Sequence, residues 1–437
     1  MAEQKKNISL FPILLVNFIG TLGFSIVLPF LVFLTTRFGG NAMVYGILGA
    51  VYPAFQLIGA PLLGKWSDIY GRKKILLLSQ AGTFIGWAIF FTAFFIPLTE
   101  LVNIDTRITG QFILTLPLVI LFLARAMDGL TGGNISVANA YLADVTNEKD
   151  RNKNYGNMSI SSNFGFVAGP MLAGVLGTTV YKEMLPVLSA ILISLIAIVV
   201  ILLYLPESRA RDYKVKPEEK DVKKVLGFEN KECYKIKGED KITVKKVLKI
   251  RFIPYILFLY FLIFLGFNFF YTAFPIHVVQ ELGWNIAEIG IFYSVLSLIM
   301  VVFQGPVLSA ASKKFPDSYL IIFGNLILGT NFVLLLSEDI IIIYIAAVLF
   351  AAGNGLMWPS VLSMLSKAAG ITYQGSVQGF ASSLGSLASI IGLIAGGMIY
   401  SRIGAGTFLI AAFTIYAVFI LSFKLISVEK ICNFRNQ

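Results

Sequence analysis

Long apolar runs alternate with short polar connections along almost the whole chain. A helix that crosses a bilayer needs about 20 predominantly apolar residues, and the sequence contains twelve runs of roughly this length. The first run is too long for the core of a signal peptide and no small-residue cleavage site follows it, so we interpret it as a span as well. The pattern predicts membrane-spanning helices at approximately 8–36, 44–64, 75–98, 114–143, 155–180, 184–204, 252–280, 286–311, 318–336, 340–366, 373–400 and 404–425.

The runs form two groups of six around one long charged segment, which contains fifteen Lys or Arg and nine Asp or Glu. We therefore predict an all-α membrane protein with an N-terminal six-helix bundle at 1–205, a cytoplasmic linker loop at 206–251 and a C-terminal six-helix bundle at 252–437. The loop could be a regulatory or partner-binding domain. Because a cytoplasmic loop is expected to be basic, we interpret it as a solvated linker.

Composition supports the membrane interpretation and excludes other classes. The chain is 57% hydrophobic and 14% charged, against about 45–50% apolar residues in an average soluble protein. The net charge of +11 does not indicate nucleic acid, because the basic residues lie between apolar runs and not on one face. Two cysteines (Cys233 and Cys432) and one histidine (His277) predict no disulfide framework and no metal site. No nucleophile–base arrangement or nucleotide-binding loop is found, so we expect neither an enzyme nor a cofactor.

Basic residues fall almost entirely on one side of the predicted membrane. Thirty of the 35 Lys and Arg residues lie in the termini, the central segment and alternate connections, and four lie in the other connections. Because basic residues are retained on the cytoplasmic side, we predict that both termini and the central loop are cytoplasmic in an inner or plasma membrane. The remaining basic residue, Arg125, lies inside a span.

A weak internal repeat relates the two groups of spans. Gly355–Ser360 in the tenth span falls where Gly129–Asn134 falls in the fourth, and Gly305–Pro306 matches Ala60–Pro61 before a pair of basic residues. Transporters built from repeats place their substrate path near the midplane between the repeats. A chance similarity of glycine-rich membrane helices remains the alternative.

The connection after the second span has the most specific pattern, GKWSDIYGRKK at residues 64–74. Gly64 and Gly71 permit tight turning, and Asp68 and Arg72 offer charges that can pair or meet a helix end. A basic cytoplasmic turn alone would not need the acid and the glycines. The segment resembles the signature loop between helices 2 and 3 of the major facilitator superfamily.

This resemblance implies a fold of twelve helices in two pseudo-symmetric bundles of six. In that family the residues matching Asp68 and Arg72 form a cytoplasmic latch between the halves, which stabilises the outward-facing state. The second copy of the loop, Ser309–Phe315, has a Lys pair and no Asp. We therefore expect an asymmetric latch.

Arg125 lies near the middle of the fourth span, with Asp128 one helical turn further on. A charge at the bilayer centre costs about 2.5–3.5 kcal/mol on insertion scales, so such residues face an interior pathway and have a partner. The arginine resembles the helix-4 arginine of the same family, which is associated with proton coupling. We predict that Asp128 takes up the proton; a static pair that only neutralises Arg125 is the alternative.

The fifth span contains GFVAGPMLAG at 165–174, which resembles the antiporter motif of twelve-helix exporters. Gly165, Gly169 and Gly174 permit close helix packing, and Pro170 favours a bend. Together with the end of the fourth span, these segments resemble the tetracycline-efflux-like group of the drug:proton antiporter branch. Those exporters have an acidic residue in helix 1, where this chain has none. Ordinary glycine packing is the alternative for this motif.

Polar and aromatic residues inside the spans are candidates for the substrate cavity, because unsatisfied polar groups are disfavoured in hydrocarbon. For any single one, hydrogen bonding between helices is the alternative. The candidates are Asn17, Tyr52, Gln56, Asn134, Asn163, Asn268, Tyr271, Asn331, Asn354, Trp358 and Gln378.

The sequence thus predicts a monomeric secondary transporter that works by alternating access. We expect proton-coupled efflux of small amphipathic organic compounds, with the substrate, protons and the lipid bilayer as its partners and no nucleic acid. The open alternatives are a uniporter or proton symporter of an uncharged metabolite and, from another class, a non-transporting membrane receptor or scaffold.

Overall fold

The computed structural model describes residues 9–106, 109–132, 134–146, 151–208 and 248–435, with the backbone alone described at 134–135, 151–153, 370–376 and 432–435. Helices dominate this part of the chain, and a π-helical turn at Phe303–Val307 joins two of them. The elements are α1 (Phe11–Ser25), α2 (Leu31–Arg37), α3 (Ala42–Tyr70), α4 (Arg72–Thr92), β1 (Glu100–Thr106), β2 (Gly110–Thr115), α5 (Leu116–Thr131), α6 (Asn134–Val145), α7 (Arg151–Gly177), α8 (Met184–Tyr204), α9 (Ile253–Gln280), α10 (Ile286–Val302), α11 (Leu308–Ala311), α12 (Asp317–Leu334), α13 (Ile340–Ile403), α14 (Gly406–Ser422) and α15 (Lys424–Arg435).

The helices have the length and composition of membrane spans. Within the described ranges, ten segments are long and apolar enough to cross a bilayer. An eleventh is added if Gly406–Ser422 and Lys424–Ile431, which are bent by 44°, are taken as one span. The apolar helix α1 is shorter, with 15 residues. The predicted all-α membrane fold is confirmed. Most of the predicted linker at 206–251 lies outside the described residues.

Two predicted spans are interrupted. The first span consists of α1 and α2 separated by turns at 26–30, where Pro29 has no N–H for a helical hydrogen bond. The fourth span consists of α5 and α6, and α5 ends at Thr131 before Gly132. Gly132 is the first of two adjacent glycines, which are poor helix formers.

The tenth and eleventh spans, predicted as separate helices, are joined by continuous helical backbone in α13. Gln378 Nε2 nonetheless donates to the carbonyl oxygen of Leu362 at 3.4 Å. Sixteen residues of straight helix would separate these groups by about 24 Å. The chain therefore folds back between them, and the two spans lie side by side.

The connection after the third span, which the hydrophobic pattern left without structure, is an antiparallel β-hairpin of β1 and β2. The hairpin is tied to the turn before α3. Ile113 N donates to Gly39 O at 2.9 Å, Thr115 Oγ1 donates to Phe38 O at 2.7 Å, and Asn41 Nδ2 donates to Thr109 O at 2.8 Å. The hairpin therefore fixes the loop between the first two spans.

The antiparallel arrangement of successive spans gives the bundle two sides. We call the side with the hairpin and the turns at 38–41, 178–183, 281–285 and 404–405 the distal side, and the side with both chain ends the terminal side. Helices α3 and α10, which begin on the distal side, have polar N-caps. Asn41 accepts from Val44 N at 3.1 Å, and Asn285 and Glu288 form a capping box at the start of α10.

The N-terminal set (α1–α8) and the C-terminal set (α9–α15) pack closely on the distal side, where α3 lies along α13 and α7 along α10. A Cβ added at Gly174 would lie 3.3 Å from Gly290 Cα, and one added at Gly397 would lie 3.1 Å from Met43 Cα. Contacts between the sets extend to the middle of the spans, where Asn163 Nδ2 lies 3.5 Å from Gln304 Oε1. The bundle is closed on the distal side, and toward the terminal side no hydrogen bond or ion pair between described residues joins the two sets.

Candidate functional site

The predicted pair of Arg125 and Asp128 is buried in the middle of a span. The Arg125 Nη1 to Asp128 Oδ2 distance is 3.5 Å, and the two side chains are 6% and 11% exposed. Arg125 Cζ lies 4.9 Å from the centre of the Tyr52 ring, a cation–π contact. Thr83 hydrogen-bonds the Asp128 carboxylate. Arg125 Nε has no hydrogen-bond partner among the described residues. The carboxylate is therefore held between one cation and one hydroxyl.

The interruption of the fourth span belongs to the same site. Gln56 Nε2 donates to Tyr52 OH at 3.2 Å and to the carbonyl oxygen of Gly132 at 2.9 Å. A carbonyl at a helix break lacks an intrahelical partner and needs one from a side chain. Tyr52 and Gln56, predicted as cavity residues, thus link α3 to the end of α5.

Two further tyrosines, which sequence reasoning missed, lie beside this site. Tyr45 is 7% exposed and Tyr293 is 3% exposed. Tyr45 and Tyr271 are neighbours of Tyr293, and Tyr45 is also a neighbour of Arg125. Tyr45 belongs to the N-terminal set and Tyr293 to the C-terminal set, so the cluster lies between the sets. One sequence signal existed: Tyr45 and Tyr52 are two helical turns apart on one face.

Three of the predicted cavity residues hydrogen-bond between helices of the same set in this conformation. Asn17 Nδ2 donates to Met158 O at 3.0 Å and joins α1 to α7. Asn268 Nδ2 lies 3.1 Å from Ser389 Oγ and joins α9 to α13. When the Asn331 amide is turned so that its nitrogen faces an acceptor, the nitrogen donates to the carbonyl oxygen of Ala346 in α13 at 2.8 Å. Their contact with substrate stays a prediction.

The remaining candidates are spread along the interior. Asn163 Nδ2 lies 3.5 Å from Gln304 Oε1, a contact between the two sets. Asn354 Nδ2 lies 3.8 Å from Met300 Sδ, and the Trp358 ring is 5.0 Å from those of Tyr260 and Phe264. The side chain of Asn134 lies outside the described residues.

The loop after α3 contains a charge cluster centred on Arg72. Arg72 Nη2 lies 2.7 Å from Asp68 Oδ1, and Arg72 Nε lies 3.0 Å from Asp144 Oδ2. Gly71 has a φ of +100°, which favours glycine, and it separates α3 from α4. Glu207 then accepts from Arg72 N at 2.7 Å and so caps α4. Asp144 and Glu207 were not among the predicted site residues.

The C-terminal set has a counterpart with the charges exchanged. Asp317 at the start of α12 lies 2.7 Å from Lys367 Nζ, whereas Arg72 at the start of α4 pairs with Asp144. Glu429 accepts from Asp317 N at 3.0 Å and from the next backbone N–H at 2.9 Å, as Glu207 does for α4. Each set therefore has an ion pair and a capping carboxylate at its terminal side.

The glycines of the predicted antiporter motif lie against two different helices. A Cβ at Gly165 would lie 2.8 Å from Phe18 O, and Gly169 is equally close to α1. Pro170 and Gly174 of the same motif lie against Gly290 of α10. The motif therefore packs α7 against its own set and against the opposite set.

A polytopic helical membrane protein with two facing sets, a closed distal side and a buried ion pair has the architecture of a secondary transporter. The sequence matches the Major Facilitator Superfamily over residues 13–258 and 256–432, and the chain belongs to this family.

Relatives and solved structures agree with this assignment. The chain is 26% identical over 394 residues to the tetracycline resistance protein, class D, of Salmonella ordonez, with 89% of each chain covered. It is 28% identical over 402 residues to multidrug resistance protein 1 of Bacillus subtilis (strain 168), with 91% of each covered. The structure of a D-xylose–proton symporter superposes with a TM-score of 0.71 at 15% identity, over 94% of this chain and 97% of that chain. The structural likeness shows the fold.

Proposed function

We propose that the protein exports small amphipathic organic compounds in exchange for protons, by alternating access. The relatives that span most of the chain are named for tetracycline and multidrug resistance. The mostly apolar, aromatic-rich interior suits ligands of this kind better than a phosphate or a nucleotide. The transported compound is the partner that we expect in addition to protons and lipid.

The observation that carries the proposal is the buried pair of Arg125 and Asp128. Within the described spans, every other acid lies within one helical turn of an end of its span, whereas Asp128 lies in the middle of the span Leu116–Val145. Protonation of Asp128 removes the counter-charge of Arg125, and an unpaired cation at this depth is costly. Proton uptake therefore favours a rearrangement of the site, which can couple the proton to the closing and opening of the two sides.

The distribution of basic residues supports a cytoplasmic terminal side, with both termini in the cytoplasm and the protein in the plasma membrane. In that orientation the closed distal side faces the outside, and a compound for export would enter from the cytoplasm. The halves at 1–205 and 252–437 would rock about the central site, linked by the loop at 206–251. Because the site lies between two halves of one chain, a monomer suffices.

The Arg72 cluster fits a latch that changes partners. In this conformation Arg72 holds Asp68 within the N-terminal set. When the terminal side closes, the loop between α3 and α4 approaches the C-terminal set. Asp68 could then form an ion pair with a basic residue of that set. The exchanged charges of Asp317 and Lys367 provide opposite signs on the facing set.

Proton exchange can be tested in liposomes that contain a pH-sensitive dye and an acidic interior. Addition of tetracycline outside should make the interior more alkaline with the native protein and should have no such effect in protein-free liposomes or with Asp128→Asn. Substrate entry without a pH change would indicate a uniporter, and acidification on substrate entry would indicate a symporter. Either result would contradict the proposed exchange.

A further inference from the structure

Tyr293 is a buried tyrosine whose hydroxyl has no hydrogen-bond partner among the described residues. Its ring is fixed by edge-to-face contacts with Phe274 and Phe292, at centroid distances of 5.9 and 5.7 Å. A buried tyrosine hydroxyl normally finds a partner. The hydroxyl of Tyr416, for example, lies 3.1 Å from Thr330 Oγ1. The unpaired hydroxyl of Tyr293 therefore calls for an explanation.

The side chains around Tyr293 can donate hydrogen bonds. Tyr45 and Tyr271 are its neighbours, and Tyr45 is also a neighbour of Arg125. Arg125 Nε, which can only donate, is buried and unpaired within the described chain. We call these four residues the donor cluster. It combines side chains from both sets.

Two members of the donor cluster, Tyr45 and Tyr293, lie near the closed distal side. Tyr45 is in the first turn of α3 and Tyr293 is two turns into α10, and both helices begin on the distal side. Toward the terminal side, no hydrogen bond or ion pair between described residues joins the two sets beyond the contact of Asn163 with Gln304. A compound that enters from the terminal side would meet the donor cluster at the end of its path.

We infer that Tyr293 is a substrate-binding residue and that the donor cluster selects aromatic compounds with oxygen acceptors, such as ketones and carboxylates. The inference rests on the proposed function and adds a ligand class to it. An acceptor oxygen satisfies the buried donors, whereas a lipophilic cation without acceptors leaves them unpaired. Sites built from buried polar groups reject ligands that cannot pair with them.

Equilibrium binding to the purified full-length protein tests this inference with two probes. Tetracycline carries several oxygen acceptors, and tetraphenylphosphonium carries none. Tyr293→Phe should raise the Kd for tetracycline about 5- to 10-fold, which corresponds to one neutral hydrogen bond, and should leave the Kd for tetraphenylphosphonium unchanged. The matched control is Tyr416→Phe, which removes a paired hydroxyl away from the cluster and should change neither Kd.

Stability separates binding from folding. Because the Tyr293 hydroxyl is unpaired, its removal should not lower the melting temperature of the ligand-free protein. An unchanged Kd for tetracycline in Tyr293→Phe, or an equal loss for both probes, would overturn the inference and leave the proposed function standing. So would a native protein that binds tetraphenylphosphonium and not tetracycline. A native protein that binds neither probe would contradict the proposed function itself.

Discussion

The closed distal side depends on close backbone contact between α3 and α13, and one added methyl group should disturb it. A Cβ at Gly46 would overlap the carbonyl oxygen of Leu393 and would lie 3.2 Å from Gly397 Cα. Both neighbours are backbone atoms of a helix, so neither can rotate away. Gly46→Ala should therefore force the two helices apart on the distal side.

The magnitude follows from the cost of inserting a methyl group into close packing, which is about 1–3 kcal/mol. If this cost falls only on the distally closed state, the equilibrium shifts toward the distally open state by about 5- to 150-fold. The same helix offers a matched control. A Cβ at Gly49 would lie 3.8 Å from the Leu393 side chain, an ordinary van der Waals contact. Gly49→Ala should leave the equilibrium unchanged.

Distances between spin labels at Val180 and Ile403 would report the opening. Both residues are exposed, at 90% and 51%, and they lie on the distal side of opposite sets. The two natural cysteines are first replaced by serine. Native protein and Gly49→Ala should show mainly the short distance, and Gly46→Ala should gain a longer one.

The reasoning would be refuted if Gly46→Ala, still folded and monodisperse, gave the same distance distribution as the native protein. It would also fail if Gly49→Ala opened the distal side as much as Gly46→Ala, because the two positions differ in contact distance and not in residue type.

Three predictions concern the terminal side. Asp68→Asn should slow turnover without weakening substrate binding, because Arg72 loses its 2.7 Å partner, and unchanged turnover would count against the latch. Glu429→Gln should lower the free energy of unfolding by about 1–3 kcal/mol, since the carboxylate accepts from two backbone N–H groups. Exposed Glu338→Gln is its control in thermal melts, and equal melting temperatures would contradict the capping role. Lys367→Met should cost less than about 1 kcal/mol in the same melts, because the lysine is 43% exposed; a larger loss would contradict this solvent-screened pair.

The sequence was sufficient for those features that depend on local patterns. Apolar runs predict spans because each membrane helix satisfies its own backbone. The contact between Arg125 and Asp128 follows from a spacing of three residues, which places both on one helical face. The break at Gly132 was missed because glycine is common in membrane helices and no Pro interrupts the segment.

Features that depend on distant partners could not be predicted in this way. The β-hairpin needs the turn before α3 as an anchor, through Asn41, which lies far away in the sequence. Tyr45 and Tyr293 come close only because the N-terminal and C-terminal sets pack against each other. For Asn17 and Asn268, a polar residue in a span does not reveal whether it faces a neighbouring helix or the cavity.

The most direct test of proton coupling uses labelled tetracycline in liposomes with the variant Asp128→Asn. The exposed Asp105→Asn on the hairpin is the matched control. Asp128→Asn should still exchange labelled for unlabelled tetracycline at equilibrium, while a proton gradient should no longer drive its accumulation; the control should do both. Gradient-driven accumulation at the native level in Asp128→Asn would contradict the account and reduce Arg125 and Asp128 to a structural pair.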